Sequence, residues 1–252
     1  PEYRKTFVYG NILIEPDGAG NSQITHYGGD SGNVPNYRKG TLYFYNNTIV
    51  STRTGNTTLF RLSSNEENCD ARNNIFYVTA NGANLALIDD TGIISISRNW
   101  FKPSWRISHG AATGTVNNDG TSIHWTTPAF VNEAMQDFRL LSTSTAINNG
   151  GSLHSETLPA NNVVRQYVKH QSSEARPANG IFDIGAYEFG NSPVQITTTN
   201  LPNAQKGRFY NQILQSSGGN GAITWELSAG SLPAGMWMDS ATGKIYGKAA
   251  LK

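Results

Sequence analysis

The chain has 252 residues, a net charge of +1 and only 15% charged residues, against about a quarter in an average globular chain. Its 27 Asn, 26 Gly, 22 Ser and 23 Thr are poor helix-interior residues, which excludes a helical bundle, a coiled coil or a highly charged disordered tail. Near-neutral charge excludes a general attraction to nucleic acid or anionic membranes, while 10 Phe, 5 Trp and 11 Tyr suffice to build a core, so the composition reads as all-β with many turns.

The chain opens at Pro1 without Met, and Phe7-Val8-Tyr9 already reads as strand. It is therefore expected to be a fragment or a processed product, and the lack of a signal peptide says little about export. No run of 18 apolar residues suits a membrane span. From here four segments resemble one another. They are Tyr9-Gly10-Asn11-Ile12-Leu13-Ile14, Tyr45-Asn46-Asn47-Thr48-Ile49-Val50, Arg72-Asn73-Asn74-Ile75-Phe76-Tyr77 and Ser97-Arg98-Asn99-Trp100-Phe101. Asn11, Asn47, Asn74 and Asn99 lie 36, 27 and 25 residues apart, each after a strand-like stretch and before a β-branched or aromatic run. A third apolar run separates them, at Leu59-Phe60-Arg61-Leu62 and again at Leu85-Ala86-Leu87-Ile88. A period in the mid-twenties with two or three short strands predicts one coil of a β-solenoid, its equivalent residues about 4.8 Å apart. The Asn amides then pair as a ladder at a tight corner whose left-handed backbone Asn tolerates. The long first interval assigns its excess to a Gly-rich loop over residues 17–40. The single cysteine, Cys69, excludes an internal disulfide or a Cys-rich zinc site and is expected inside a coil as a small buried hydrophobe.

Further on, Pro128-Ala129-Phe130-Val131-Asn132, Asp137-Phe138-Arg139-Leu140 and Ser144-Thr145-Ala146-Ile147-Asn148-Asn149-Gly150 precede Arg176-Pro177 and Phe182-Asp183-Ile184-Gly185-Ala186-Tyr187-Glu188-Phe189. With the Asn repeat, these motifs resemble the right-handed parallel β-helix (pectate-lyase-like) proteins, in particular a bacterial subset that ends on Asp-Ile-Gly-Ala-Tyr-Glu. Thr145 and Asn148 depart from the Pro and Asp usual in that subset. The resemblance implies a β-helix over residues 1–190, represented by its C-terminal coils, with a segment that closes the solenoid. Arg176, Asp183 and Glu188 read as a charged cluster that is a structural ion pair rather than a catalytic group; alternation along Phe182 to Tyr187 places Asp183 at the rim of the last coil, where Arg176 is expected to pair with it.

Residues 190–193 read as a linker. Beyond it, over residues 191–252, come Tyr210-Asn211-Gln212, a Gly-rich turn at 218–221, Thr224-Trp225, Leu232-Pro233-Ala234-Gly235 and Ser240-Ala241-Thr242-Gly243-Lys244-Ile245-Tyr246-Gly247. Their order resembles a bacterial immunoglobulin-like module of the putative Ig family. The module normally continues for two more strands, so an incomplete sandwich is expected.

No P-loop, dinucleotide fingerprint, metal motif or Gly-x-Ser-x-Gly elbow is present. No cofactor is expected. Calcium is the one ion that the turns at Asp17-Gly18 and Asp89-Asp90 admit, without further support. β-Helix enzymes act on polysaccharide along a solenoid flank. A lyase needs a base and a cation that neutralises a uronate carboxylate. The candidates are His26, Tyr27, Arg38, Lys39 and Arg61. His26 and Arg61 lie 15 and 14 residues after their ladder Asn, which predicts neighbouring coils of one flank. The plainer alternative is a solvated face. Carboxylates in the first 110 residues are too scattered to support glycoside hydrolysis. Tyr43, Tyr45, Trp100, Trp105 and Trp125 are candidates for stacking on sugar rings. The expectation is an extracellular or cell-surface bacterial protein that binds or processes polysaccharide or a cell-surface glycan, lyase-like if catalytic. The competing reading is a non-catalytic adhesin, scaffold or filament component with the Ig-like module as spacer.

Overall fold

In the computed structural model, which describes residues 4–178, 180–190, 194–217 and 223–250, short strands wind into successive coils. The first coil carries β1 (Lys5–Tyr9), β2 (Ile12–Glu15) and β3 (Gln23–Tyr27). The second carries β4 (Gly40–Tyr45), β5 (Thr48–Ser51) and β6 (Thr57–Leu62). The third carries β7 (Glu67–Arg72), β8 (Ile75–Val78) and β9 (Leu85–Ile88). In the fourth, β10 (Ile93–Ser97) and β11 (Trp100–Phe101) are followed by a single bridge from Arg106 to Ala86. A fifth, partial coil has β12 (Thr115–Asn118) and β13 (Ile123–His124). Three parallel sheets result, β1-β4-β7-β10-β12, β2-β5-β8-β11-β13 and β3-β6-β9. Parallel pairing at a coil-length spacing is the signature of a parallel β-helix.

The Asn ladder forms, and no buried side-chain nitrogen or oxygen among the described residues lacks a hydrogen-bond partner. Asn11 Nδ2 donates to Asn47 Oδ1 at 3.0 Å, Asn47 Nδ2 to Asn74 Oδ1 at 3.1 Å, and Asn74 Nδ2 to Asn99 Oδ1 at 3.0 Å. Each of these acceptor oxygens also receives the backbone N–H of the Asn one coil earlier. The second amide hydrogen of Asn47 and of Asn74 goes to the carbonyls of Val8 and Phe44, and Asn99 Nδ2 donates to Ala71 O. Ser122 takes the fifth rung, its hydroxyl accepting Asn99 N–H. One expectation is corrected. The left-handed corner belongs to the preceding residue, Gly10, Asn46, Asn73 or Arg98, with φ between 49° and 69°. The ladder Asn itself has to point inward along the stack, so the residue before it makes the turn.

Inside the coils, Ile49 lies opposite Phe76, and Leu42, Cys69 and Ile94 form one register row, all buried. Cys69 thus fills a slot between two larger aliphatic side chains, and burial pushes its thiol well above the usual range. A second correction concerns residues 17–40. They are not one loop, because β3 lies within them and supplies the first coil's third strand. The excess length is the excursion at residues 28–39.

The segment after the coils contains two antiparallel pairs, β14 (Phe130–Asn132) with β15 (Asp137–Leu140) and β16 (Arg165–Val168) with β17 (Ser172–Ala175). Its described core residues pack along the sides of the coils. Phe130, Phe138, Leu140, Ala146 and Ile184 pack on Val50, Ile75, Tyr77 and Trp100 of the second sheet. Leu153 and Val163 pack on Tyr43 and Tyr45 of the first sheet. The corner residues Asn46 and Asn73 hold it, through the carbonyls of Asp183 and Gly151. It is a strap laid along the corner between the two sheets. Gly185 lets it approach: with φ +104°, a Cβ there would lie 2.7 Å from Ile75 Cδ1.

The structural ion pair of the Arg176, Asp183 and Glu188 cluster is present, but it runs to Glu188 rather than to Asp183 at a rim. Arg176 Nη2 lies 3.0 Å from a Glu188 carboxylate oxygen, and the guanidinium also donates to the carbonyls of Asp183, Gly185, Ala186 and Tyr187. Residues 182–189 form no strand, so alternation does not govern them. Asp183 is fully buried rather than at the rim, and its carboxylate accepts the N–H groups of Asn148 and Phe189. Burial pushes the carboxyls of Asp183 and Glu188 above their ordinary range.

The chain forms two compact units, Pro1–Phe189 and Gly190–Lys252. The second has β18 (Gln195–Ile196), β19 (Phe209–Ile213), β20 (Ser216–Ser217), β21 (Met236–Asp239) and β22 (Lys244–Lys248). They form antiparallel sheets β18-β20 and β19-β22-β21, and the latter carries the core residues Tyr210, Met236 and Ile245. Thr224-Trp225 is in no strand, although Trp225 N–H bonds to Ser240 O at 2.8 Å. Most of the linker, at 191–193, and the Gly-rich turn at 218–222 lie outside the described residues. No described helix is long and apolar enough to cross a membrane.

Candidate functional site

Parallel pairing of β3 with β6 sets His26 directly opposite Arg61 on adjacent coils, so the two fall on one flank. Past β3 the chain leaves the coil at Gly28, runs through a 3-10 turn at Val34–Asn36, and returns at Gly40. This excursion folds against the end of β6. Gly29 N–H donates to Ser63 Oγ at 2.9 Å, and Asp30 reaches both neighbours. Asp30 Oδ1 is 2.9 Å from Arg61 Nη2, and Asp30 Oδ2 is 3.3 Å from His26 Nδ1. On its other side the His26 ring places Nε2 2.9 Å from Ser63 Oγ. Gly28 is required by both shape and space. Its φ is +125°, and a Cβ there would sit 2.4 Å from Ser63 Oγ.

The other candidates are held close by in different ways. Tyr27 is buried in the core with its hydroxyl donating to Lys39 O, so it presents no free phenol to a substrate. Arg38 lies over the Tyr27 ring at 5.9 Å and donates from Nε to Thr6 Oγ1 at 2.9 Å. Lys39 Nζ sits 3.1 Å from Glu67 and 3.3 Å from Glu66. Burial pulls the Lys39 ammonium down, but hydrogen bonds to Glu67 and Glu66 outweigh it and raise its pKa. Its charge is therefore already neutralised. Glu67 is wholly buried, accepting from Lys39 and Ser64 Oγ, so this second cluster clamps the excursion to the third coil.

Three of the five proposed sugar-stacking aromatics are buried, and a fourth, Trp105, is half-buried. Trp100 is fully buried and donates from Nε1 to Thr145 Oγ1. Tyr43 and Tyr45 lie under the strap, where Tyr45 hydroxyl donates to Asn161 O at 2.6 Å. Trp105 stacks on Phe101 at 4.6 Å and donates to His124 Nε2. Trp125 alone of the five is exposed. A cleft of about 350 Å³ lies elsewhere, lined by Ile14, Val50, Thr52, Thr79, Glu133 and Phe138, near the small end for ligand pockets. Glu133 is its one acid. Among the described residues no three His, Cys, Asp or Glu gather to hold a metal. Asp17 instead accepts from Thr54, and Asp89 from Gln23.

Ser63 and Asp30 were not singled out by sequence. The Ser63–His26 contact spans 37 residues and depends on the coil register, which no local motif announces.

The Putative Ig domain family model matches residues 192–251, so the antiparallel unit after the solenoid is Ig-like. No curated protein matches the chain, and no solved structure does.

Proposed function

We propose that the solenoid flank formed by β3 and β6 binds polysaccharide in the extracellular space or on a bacterial cell surface, and that any processing of the glycan occurs at the same cluster. The observation that carries this reading is the side-by-side placement of His26 and Arg61 on neighbouring coils, with Asp30 between them. Repeated polar groups about one strand spacing apart suit an extended polymer rather than a compact metabolite. Charged forks and carboxylates that stay partly solvated are suited to sugar hydroxyls and uronates. A lyase-like role would use His26 as base and Arg61 as the cation, and a uronate carboxylate would then have to displace Asp30 from Arg61. Retention on an array of acidic and neutral polysaccharides tests the reading. Wild-type chain should be retained on at least one class, and Arg61→Ala should weaken that retention about tenfold, in line with loss of one charge-assisted contact of about 1.4 kcal/mol. Retention of no glycan, or equal retention of Arg61→Ala, removes the proposal.

A second reading, a non-catalytic adhesin, scaffold or filament component, is favoured by one observation, the Ig-like match at 192–251, which follows the solenoid in the chain. In it the flank binds without turnover and the Ig-like module is a spacer.

A further inference from the structure

We propose that Ser63, His26 and Asp30 are a nucleophile, base and orienting acid that cleave acyl esters, the substrate class being ester groups carried on a polysaccharide. The choice of substrate rests on the glycan reading above; the chemistry of the three residues does not. His26 Nε2 is 2.9 Å from Ser63 Oγ, and His26 Nδ1 is 3.3 Å from Asp30 Oδ2. Those are the two contacts that activate a serine: a base within reach of the hydroxyl, and a carboxylate on the far ring nitrogen. A carboxylate beside Nδ1 favours the tautomer with the proton there, which leaves the Nε2 lone pair facing Ser63. The hydroxyl has a second acceptor, Tyr27 O, at a longer 3.3 Å. Gly29 N–H donates to the same oxygen at 2.9 Å and holds it in place. Arg61 on Asp30 Oδ1 supplies positive charge beside the site. A clamp for the excursion needs only the Gly29–Ser63 bond. It does not need a histidine edge-on to both the serine and an acid, on a solvent-facing flank.

The step balances with water as co-reactant. Ser63 Oγ attacks the ester carbonyl carbon and its proton passes to His26 Nε2. The tetrahedral species collapses, the ester C–O bond breaks, and His26 returns the proton to the leaving sugar alkoxide. Water then adds to the acyl carbon with His26 as base, and the acid departs as Ser63 Oγ regains a proton. The net change is ester plus water to alcohol plus acid.

The test uses the full chain with a fluorophosphonate probe, p-nitrophenyl acetate and acetylated xylan. The probe should add to Ser63, located by peptide mass spectrometry, and both esters should be hydrolysed. Ser63→Ala and His26→Ala should lose at least about 100-fold in turnover, Asp30→Asn about tenfold or more, and exposed Ser142→Ala nothing. If Ser63→Ala misfolds, probe labelling of wild type against Asp30→Asn still decides. No adduct at Ser63, or turnover unchanged in Ser63→Ala, overturns the triad even where glycans are retained. Nitrophenolate release that depends on Ser63, without glycan retention or xylan deacetylation, upholds the triad and overturns the polysaccharide substrate.

Discussion

Replacing Asn74 with Ala perturbs the centre of the ladder. Four hydrogen bonds meet at this side chain. Its Oδ1 accepts from Asn47 N–H at 3.0 Å and Asn47 Nδ2 at 3.1 Å, and its Nδ2 donates to Phe44 O at 2.8 Å and Asn99 Oδ1 at 3.0 Å. Truncation has unequal consequences at the four partners. Asn47 Nδ2 retains Val8 O, and Asn99 Oδ1 retains Asn74 N–H. Asn47 N–H loses its acceptor in a place water does not reach, because Asn47 and Asn74 are both fully buried. Net losses of about 0.5–1.5 kcal/mol for each of three bonds, with one orphaned donor at about 1–3 kcal/mol, give about 2.5–7.5 kcal/mol. In a unit of this size each kcal/mol moves the midpoint about 2–4 °C, so the thermal midpoint should fall by about 5–30 °C. Asn11→Ala is the internal control. Asn11 is exposed at the first rung and donates only to Asn47 Oδ1 and Tyr9 O, so its replacement should cost about 1 kcal/mol or less. Urea unfolding followed by far-ultraviolet circular dichroism reads both variants. If Asn74→Ala is no more destabilising than Asn11→Ala, the ladder does not hold the coils and the reasoning fails.

Arg176→Ala breaks a buried pair and strands Glu188 with four carbonyls that had shared the guanidinium. A loss of about 3–5 kcal/mol is expected, with glycan retention by the remaining folded protein unchanged; a midpoint within about 1 °C of wild type contradicts it. Asp137 has its carboxyl held below the ordinary aspartate range by the Arg139 hydrogen bonds, which outweigh burial. A depressed carboxyl stabilises the fold above its unfolded pKa of about 3.9, and that contribution is lost as pH falls through the lower folded value. Asp137→Asn should therefore narrow the stability difference between pH 6 and pH values near or below about 3; an unchanged acid limb refutes the link. Cys69, buried between Leu42 and Ile94, should react with a maleimide only as fast as the unit unfolds, and stoichiometric labelling within a minute under native conditions contradicts the inward placement.

The coils were legible because a solenoid repeats its constraints. An Asn before each short apolar run, at nearly even spacing, is the outward sign of amides that must pair with their copies one coil away. The same repetition put His26 and Arg61 on one flank from their offsets alone. What stayed hidden depends on contacts without a period. The strap has no regular pattern over residues 182–189, so alternation misplaced Asp183 at a rim, when the backbone loops to give it two N–H donors and gives Glu188 to Arg176. Tyr43 and Tyr45 look like outward aromatics in β4 until Leu153 and Val163 cover them. Ser63 and Asp30 look like turn residues, and only the return of the 28–39 excursion onto the end of β6 brings them to His26.

The central claim is that the flank of β3 and β6 meets the glycan. Chemical-shift mapping of isotopically labelled full chain, titrated with an oligosaccharide of the class retained on the array, locates the contact directly. The account predicts perturbations concentrated at His26, Asp30, Arg38, Arg61 and Ser63, with Arg61→Ala moving their titration to about tenfold higher oligosaccharide concentration. Perturbations centred on Trp125, or on the Thr52, Thr79 and Glu133 cleft, with the flank resonances unmoved, would contradict it.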